Sequence, residues 1–427
     1  MIGSIFIDED AILKVTELIG SDDFYYPKHR IVFEAIEHLF YSHEAIDSLT
    51  VISYLKKQKN LKEIGGASYI TELIESVPTS AHSENYAKLV KDASIRRKFI
   101  KLSNEINKVC FEENKPIEEI INETEKNIFG ISEQSYHKDF VHVSRLLDES
   151  FEKAADLRKN QNEVRGVRSG FKQLDLLLGG FQKSDLIILA ARPSVGKSAL
   201  LIDFARHAAV NEKKSVGIFS LEMSDLQIMD RILAMQVGIG LWDLRMGKLG
   251  ENDFEMLGDG MGKLSESNLF IDDTPGLGIN EMRTKCRRLK MEKGLDMVII
   301  DYLQLITANT RESRVQEVSE ISRFLKILAK ELDIPVIAAA QLSRAIEQRN
   351  DRRPQLSDLR ESGSIEQDAD VVMFLQREEI FNPDTDRKGI GDLLVAKHRN
   401  GPTGDMELFF VREQARYTDL EKHRTQL

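Results

Sequence analysis

The sequence has little cysteine and no long apolar segment. Its two cysteines, Cys110 and Cys286, lie far apart and lack the spacing of metal ligands. A disulfide framework or a zinc site is therefore not expected, and a reducing cytoplasm is the simplest compartment. No run of about 18 apolar residues occurs, so no membrane span is predicted. The first residues also lack the basic region of a secretion signal, so export is not expected.

Excess positive charge is absent as well. The 427 residues carry a formal net charge of -11, with 41% apolar and 30% charged residues, as in an ordinary globular protein. This balance argues against a protein that coats nucleic acid with its whole surface, and it permits a local basic channel. The length is sufficient for two or three domains.

Residues 1–130 are predicted to form a small all-helical domain. Apolar residues recur there at helical spacing, most clearly in one stripe: Ile31, Val32, Ala35, Ile36, Leu39 and Phe40. Residues 131–168 are more polar and are predicted to be a linker that contains an amphipathic helix at about 144–160. That helix must bury its apolar stripe against its own domain or a neighbouring chain, and periodicity does not distinguish the two.

From residue 169 to 427, short apolar runs alternate with helical patterns. The runs are DLIILAA, SVGIFS, MVIID, IPVIAAA, DVVMFLQ, DLLVAK and MELFFV. Near-continuous apolar strands are typical of a mostly parallel sheet with helices on both faces. The last two runs bracket the turn NGPTG and are predicted to form an antiparallel hairpin. The C-terminal part is therefore expected to be an α/β domain.

A phosphate-binding loop is predicted directly after the first of these strands. Gly196, Lys197 and Ser198 match the P-loop pattern, whereas Ala191 stands where the pattern has its first glycine. The expected nucleotide-binding residues are Ala191, Arg192, Pro193, Ser194, Val195, Gly196, Lys197, Ser198 and Ala199. The alternative is a strand-to-helix turn with a surface lysine. The preceding strand and following helix favour the P-loop, with Lys197 on the β- and γ-phosphates and Ser198 on Mg²⁺.

Polar side chains follow three more predicted strands. Glu222, Asp301 and Gln341 each stand at the carboxyl end of an apolar run, where open α/β sheets bind ligands. Asp301 has the position of a Walker B carboxylate for Mg²⁺, Glu222 that of a general base, and Gln341 that of a γ-phosphate contact. Alone, an Asp at such a position can equally well begin a loop, a Glu is more often solvated, and a Gln usually forms loop hydrogen bonds. Their joint occurrence beside a P-loop favours function.

Arginines are frequent in two segments that follow the predicted strands of Asp301 and Gln341. One possibility is a solvated surface in which nearby acids balance them. The other is a set of contacts to backbone phosphates inside a ring. Because the two segments lack aromatic residues, sequence-independent tracking of the nucleic-acid backbone is favoured over base stacking. Lys397 and Arg399 form a further cationic pair beside NGPTG, whose anion could be a DNA phosphate or a nucleotide phosphate.

Together these motifs resemble the DnaB family of hexameric replicative DNA helicases. The resemblance rests on ARPSVGKSA, SLEMS, IIDYLQLI, QLSR, DLRESGSIEQDAD and KHRNGPTG, and it extends over essentially the whole chain. It implies a RecA-like motor domain, an N-terminal collar domain and a linker helix that docks on the adjacent subunit. Family members usually begin with a further helix-forming segment. The opening IGSIFIDED is therefore expected either of a short variant, such as a phage-encoded form, or of an N-terminal domain that lacks an element.

The resemblance also implies a division of roles at ATP bound between subunits. The expected catalytic residues are Lys197, Glu222, Gln341, Lys397 and Arg399. Ser198 and Asp301 are the expected Mg²⁺ ligands. Lys397 and Arg399 would reach the γ-phosphate held by the neighbouring subunit.

Arg360, Glu361 and Gly363 match the loop that follows single-stranded DNA through the centre of the ring. The implied activity is ATP-driven 5′ to 3′ translocation that unwinds forked duplex. A primase and a helicase loader are expected partners, in the cytoplasm of a bacterial or phage-infected cell. The alternatives are a RecA-like recombinase, disfavoured by the helical N-terminal domain, and a non-motor NTP-binding scaffold or loader, disfavoured by the complete set of motif residues.

Overall fold

The chain folds as two units, Met1–Phe151 and Glu152–Leu427. A computed structural model describes residues 1–112, 114–133, 143, 147, 164–307, 314–349, 352–359 and 363–420. Over these residues, no helix combines the length and the apolar character that crossing a membrane requires. The linker helix predicted at about 144–160 lies outside the described residues, apart from the single residue Leu147.

The first unit is helical over its described residues. Its helices are α1 (Ile2–Ile7), α2 (Ala11–Thr16), α3 (Pro27–Tyr41), α4 (Ser48–Lys57), α5 (Leu61–Ile64), α6 (Ala67–Glu75), α7 (Ser83–Cys110) and α8 (Ile117–Glu133). Pro27 begins α3, where its missing N–H costs nothing and its fixed φ suits a helix. The carboxylate of Asp47 caps α4 by accepting hydrogen bonds from the N–H groups of Leu49 and Thr50, both at 2.8 Å.

Helix α3 supplies much of the core of this unit. The predicted stripe is confirmed: Val32, Ala35, Ile36 and Leu39 are buried. Ile31 and Phe40 are partly buried against the same cluster. The 3.6-residue period of α3 places these side chains on one face, and the neighbouring helices cover it.

The second unit is built around one sheet. Its strands are β1 (Leu186–Ala191), β2 (Val216–Ser220), β3 (Leu269–Asp272), β4 (Met297–Asp301), β5 (Val336–Gln341), β6 (Val371–Arg377), β7 (Ile390–His398), β8 (Gly404–Val411) and β9 (Arg416–Asp419). Its helices are α9 (Lys172–Leu178), α10 (Lys197–Arg206), α11 (Asp225–Val237), α12 (Leu241–Met246), α13 (Glu251–Ser265), α14 (Ile279–Lys293), α15 (Arg314–Leu332) and α16 (Gly363–Asp368).

The strands lie in the order β3-β2-β4-β5-β1-β6-β7-β8-β9. The first six are parallel, whereas β7, β8 and β9 extend the sheet with antiparallel pairings. The predicted mostly parallel α/β sheet and the β7–β8 hairpin around NGPTG are both confirmed. Because β1 lies in the interior of the parallel region, its carboxyl end is flanked by those of β5 and β6.

Two apolar cores cover the two faces of the sheet. Along β1, Ile187, Leu189 and Ala191 belong to one core, while Leu186, Ile188 and Ala190 belong to the other. All six residues of β1 are buried. Burial on both faces explains why this strand is continuously apolar rather than alternating, and it holds the loop after β1 on a rigid support.

Candidate active site

The segment after β1 is a strand–loop–helix unit of the predicted kind. Helix α10 begins at Lys197, and its N-cap Gly196 makes no side-chain capping hydrogen bond. The first backbone N–H groups of an α-helix lack partners within the helix. The start of α10 therefore offers N–H donors and the positive end of the helix dipole to an anion at this loop.

Gly196 is required by the backbone and by its surroundings. Its φ is +105°, in the left-handed region, and a Cβ built there would lie 3.1 Å from the ring of Tyr417 and 3.3 Å from that of Phe410. The buried Tyr417 also donates a hydrogen bond from Oη to the carbonyl oxygen of Val195 at 2.7 Å. The terminal strand β9 thus supports the loop from behind. Sequence reasoning missed Tyr417 because β9 is short and polar.

Four neighbouring strands bring the predicted side chains to one edge of the sheet. Strands β2, β4, β5 and β1 are consecutive in the sheet order. In their registers, Ser220 pairs with Asp301 and Ala191 pairs with Gln341. Glu222 follows β2 and is exposed, as is Gln341 at the last position of β5. The predicted convergence at the carboxyl ends of the strands is therefore present in the fold.

The closest of these pairs is Lys197 and Asp301. Their Nζ and Oδ1 atoms are 3.5 Å apart, and Lys197 also lies 4.7 Å from the ring centre of Tyr302. Asp301 is only 8% exposed, and its Oδ1 is buried without a hydrogen-bond partner. A buried carboxylate oxygen without a hydrogen-bond donor has unused capacity to accept from a bound cation.

The negative charges at this edge affect two residues that sequence reasoning missed. Burial raises the pKa of Tyr302, and the charges of Glu222 and Asp301 raise it further. Burial lowers the pKa of Arg231 on α11, and a repulsive contribution from Arg245 adds to this, whereas the two carboxylates oppose the shift. Arg231 is therefore a basic neighbour of both carboxylates. No local motif marks it, because α11 reaches this edge only through tertiary packing.

Lys397 and Arg399 converge on one segment at a different edge of the sheet. Lys397 Nζ donates to the carbonyl oxygens of Glu366 and Ala369. Arg399 is half exposed and donates through Nη1 to Asp370 Oδ1 at 3.2 Å. Lys397 pairs with Val372, near the start of β6, and β6 is parallel to β1. The pair therefore lies toward the amino ends of the parallel strands, whereas the loop of Lys197 follows their carboxyl ends.

The predicted DNA-contacting residues are only partly described. Arg360 and Glu361 lie outside the described residues, and Gly363 begins α16. Two neighbouring arginines already have acidic partners: Arg349 with Asp358 at 2.5 Å, and Arg353 with Asp405. This pairing agrees with the balanced-surface alternative for these two arginines.

Comparison with known proteins decides the family. The model of the DnaB-like helicase C terminal domain matches residues 166–419, and that of the DnaB-like helicase N terminal domain matches residues 1–92. The chain belongs to the DnaB-like helicase family. It is 42% identical to the replicative DNA helicase DnaB of Geobacillus stearothermophilus over 424 residues, which cover 99% of this chain and 93% of the relative. It is 43% identical to the replicative DNA helicase DnaC of Bacillus subtilis, with the same coverage.

Two solved structures show the same fold. A DnaB-like replicative helicase, solved in a study of its interactions with primase, superposes with a TM-score of 0.77 at 31% identity and covers 98% of both chains. A separately solved ATPase domain has a TM-score of 0.63 at 36% identity and covers 66% of this chain and 100% of that domain. The predicted RecA-like ATPase fold and helical N-terminal domain are thus confirmed, and neither alternative function is favoured.

Proposed function

We propose that this chain is the motor subunit of a replicative DNA helicase that hydrolyses ATP. The observation that carries the proposal is the approach of Lys197, which follows β1, to the buried Asp301 at the end of β4, two strands away in the sheet. Both lie beside the N-terminus of α10, which has no side-chain cap. This arrangement offers N–H donors and a lysine to phosphates and a carboxylate to a divalent cation.

The residues present fit Mg²⁺. Asp301 Oδ1 is buried without a hydrogen-bond donor, which suits a carboxylate that accepts from a metal ion or from its water. Ser198, the second residue of α10, is the proposed hydroxyl ligand. Mg²⁺ bound with a nucleotide needs few protein ligands, because phosphates and waters complete its shell. When bound, Mg²⁺ would neutralise charge on the phosphate oxygens.

The remaining residues at this edge have complementary proposed roles. Lys197 is proposed to hold the β- and γ-phosphates, as the position of its Nζ beside Asp301 allows. The exposed Glu222 is proposed to accept a proton from the attacking water. Gln341, at the end of the neighbouring β5, is proposed to contact the γ-phosphate. The loop residues 191–199 would enclose the phosphates between these groups.

The positions of Lys397 and Arg399 support a role at a neighbouring subunit's nucleotide. The pair lies toward the amino edge of the sheet, whereas its own P-loop follows the carboxyl edge. A six-residue strand such as β1 is about 20 Å long, which is beyond the reach of an arginine side chain. A ring, proposed to be a homohexamer, would bring the pair of one subunit to the P-loop of the next. There Arg399 would stabilise the negative charge that develops on the γ-phosphate.

The DNA-facing side of the proposal rests on family resemblance. Arg360, Glu361 and Gly363 are proposed to track the backbone of single-stranded DNA as the ring moves 5′ to 3′. Primase and a helicase loader are proposed partners, and a structural relative was itself studied with primase. The proposed compartment is the cytoplasm. Residues 1–130, 131–168 and 169–427 are proposed as collar, linker and motor.

A forked-duplex unwinding assay with ATP and Mg²⁺ tests this function. We expect unwinding when the fork carries a free 5′ tail, and none when only a 3′ tail is available for loading. Omission of Mg²⁺ should abolish strand separation. ATP hydrolysis without unwinding on either fork would indicate a scaffold rather than a motor, and unwinding only from the 3′ tail would reject the proposed polarity.

A further inference from the structure

A cluster of buried charges lies where β1 and β6 begin. Asp185 immediately precedes β1 and Asp370 immediately precedes β6, and the two residues are only 8% and 3% exposed. Lys326 of α15 reaches the cluster: its Nζ donates to the carbonyl oxygen of Ser184 at 2.8 Å and contacts Asp370 Oδ2. Buried carboxylates are costly unless they are paired, so this arrangement needs its cations.

Hydrogen bonds fix Asp370 through its carboxylate, its backbone N–H and its carbonyl oxygen. Its Oδ2 accepts the backbone N–H of Leu186 at 2.9 Å in addition to Lys326. Its own N–H donates to the carbonyl oxygen of Leu186 at 2.9 Å, and its carbonyl oxygen accepts the N–H of Arg399 at 2.8 Å. The position of the carboxylate is thereby fixed relative to β1, which is in the centre of the core.

The remaining oxygen of Asp370 serves Arg399. Oδ1 accepts from Nη1 of Arg399 at 3.2 Å, while Nη2 donates to the carbonyl oxygen of Gln367 at 3.1 Å. The Arg399 side chain nevertheless remains 49% exposed. A guanidinium has five N–H donors, so two anchoring bonds leave other donors directed toward solvent. The side chain is thus oriented by the protein and still accessible from outside.

We propose that Asp370 is a positioning residue that orients Arg399 for the nucleotide of the neighbouring subunit. This inference rests on the proposed trans role of Arg399. A free arginine side chain samples many rotamers, and this freedom is lost when the side chain is fixed against a phosphate. Anchoring by a buried carboxylate removes part of that loss before the neighbour arrives. It also limits the guanidinium to a narrow range of positions, as transition-state stabilisation requires.

The competing explanation is that Asp370 only stabilises the junction of β1 and β6. The two roles differ in which half of the proposed site between subunits is impaired, the P-loop of one subunit or the Arg399 of its neighbour. A general loss of stability would impair both the P-loop and the Arg399 side of a subunit. A positioning role would leave the P-loop side intact, because that loop follows the opposite ends of the strands.

Mixed rings of Asp370→Asn subunits separate the two explanations. The homomeric variant should bind a fluorescent ATP analogue normally and lose about ten- to a hundredfold in kcat, with a smaller change in KM. Mixed with Lys197→Ala subunits, it should regain ATPase, because its intact P-loop then meets a well-oriented Arg399. Mixed with Arg399→Ala subunits, it should regain almost none, since no subunit then supplies a well-oriented Arg399.

Asp333→Asn is the matched control. Asp333 also lies near the start of β1, where its Oδ1 accepts a hydrogen bond from Ser184 Oγ at 2.9 Å. Its side chain, however, is 62% exposed. Mixed with Lys197→Ala or with Arg399→Ala subunits, Asp333→Asn subunits should give the same ATPase as wild-type subunits. Asp370→Glu replaces Asp370→Asn in these mixtures if the asparagine variant does not fold. It keeps the negative charge but moves the carboxylate by one methylene group. The same one-sided rescue is expected of it.

Three results would overturn the inference: full activity of homomeric Asp370→Asn, equal rescue in both mixtures, or rescue in neither despite normal folding. If neither Asp370 variant assembles, the residue is required for folding, and a role in positioning is rejected. A mixture of Lys197→Ala with Arg399→Ala is run in parallel. Absence of activity in that mixture rejects the trans role itself, independently of Asp370.

Discussion

At the scale of single residues, the proposed chemistry depends on Lys197 beside Asp301 Oδ1, a buried oxygen without a hydrogen-bond donor. Among the described residues, Lys197 is the one that forms an ion pair with Asp301, and it does so through Oδ1. Its removal would take away the ion-pair partner of Asp301 Oδ1 and one proposed ligand of the phosphates. Both effects lower the affinity for the transition state more than they disturb the fold.

Lys197→Ala should therefore reduce ATPase and unwinding by about a hundredfold or more. The measurement is steady-state ATP hydrolysis with and without single-stranded DNA, beside the forked-duplex assay. Lys183→Ala is the control, because Lys183 is 74% exposed and its ion pair is with the surface residue Asp333 at 3.6 Å. Substantial turnover by Lys197→Ala would contradict the P-loop assignment.

A second prediction at this scale concerns Asp185. Burial and the nearby charge of Asp370 raise its pKa to about 6, while Lys326, His398 and Arg399 act in the opposite direction. The folded protein thus holds a proton on Asp185 at pH values where the unfolded chain has released it. Stability from this group is complete below about pH 4 and is lost as the pH rises through 6.

Asp185→Asn removes this titration. Relative to the wild type, the free energy of unfolding of the variant should be higher at pH 7.5 than at pH 4.5 by about 2 kcal/mol. Urea unfolding followed by circular dichroism at both pH values measures the difference. Asp333→Asn, at an exposed site, should show no such pH dependence. A difference of the opposite sign would show that Asp185 is stabilised as a carboxylate in the fold.

At the scale of elements, the P-loop is supported by a strand from the far end of the chain. Tyr417 of β9 fills the space beside Gly196 and bonds the carbonyl oxygen of Val195. The loop is proposed to direct its N–H groups at phosphates. The loss of a support on its inner side should therefore affect nucleotide binding more than turnover of the bound nucleotide.

Tyr417→Phe keeps the ring and removes this hydrogen bond. The Val195 carbonyl then loses a buried donor, which should cost about 1 kcal/mol in stability and raise KM for ATP severalfold with little change in kcat. Thermal unfolding and steady-state kinetics measure the two effects. Tyr41→Phe, at a 70% exposed position, is the control. An unchanged KM would show that packing alone holds the loop.

The elements also show how far the sequence predicts this fold. All seven apolar runs proposed as strands are strands, because buried parallel strands leave a local signal that needs no tertiary knowledge. Strands β3 and β9 were not predicted: β3 has four half-buried residues, and β9 is the polar segment RYTD. Such strands acquire their structure from a neighbour in the sheet, which is not visible in local periodicity.

The site divides in the same way. Lys197, Glu222, Asp301 and Gln341 could be placed from the sequence, because each follows a recognisable strand and strand ends meet at one edge. Tyr417, Arg231 and Asp370 could not, because they act through elements that are distant in the chain. The geometry of Lys397 and Arg399 was also not predictable, since the order of the strands determines which edge of the sheet they occupy.

At the scale of the whole molecule, nucleotide hydrolysis is proposed to require two subunits. Arg399→Ala should leave nucleotide binding nearly intact yet lower ATPase of the assembled ring by about a thousandfold. Lys197→Ala should be inactive as well. Co-assembled in equal amounts, the two variants should recover activity at about one interface in four, where an intact P-loop meets an intact Arg399.

ATPase of the co-assembled variants, with each homomeric ring as a baseline, measures this recovery. Native mass spectrometry confirms that mixed rings have formed. The control mixture pairs Lys197→Ala with a Lys197→Ala/Arg399→Ala double variant, in which no interface is complete. Mixed rings that are no more active than this control would mean that Arg399 does not act on a neighbour.

Lys197 and Arg399 lie toward opposite edges of one sheet. Under the proposed action of Arg399 on a neighbouring subunit, this placement determines how a defective copy affects a population of rings. A chain that lacks only one of the two residues spoils a single interface, so activity should fall linearly with its fraction. A chain that lacks both spoils the interfaces on its two sides. Activity should then fall as the square of the intact fraction, and a minority of double-variant chains would silence a majority of the sites.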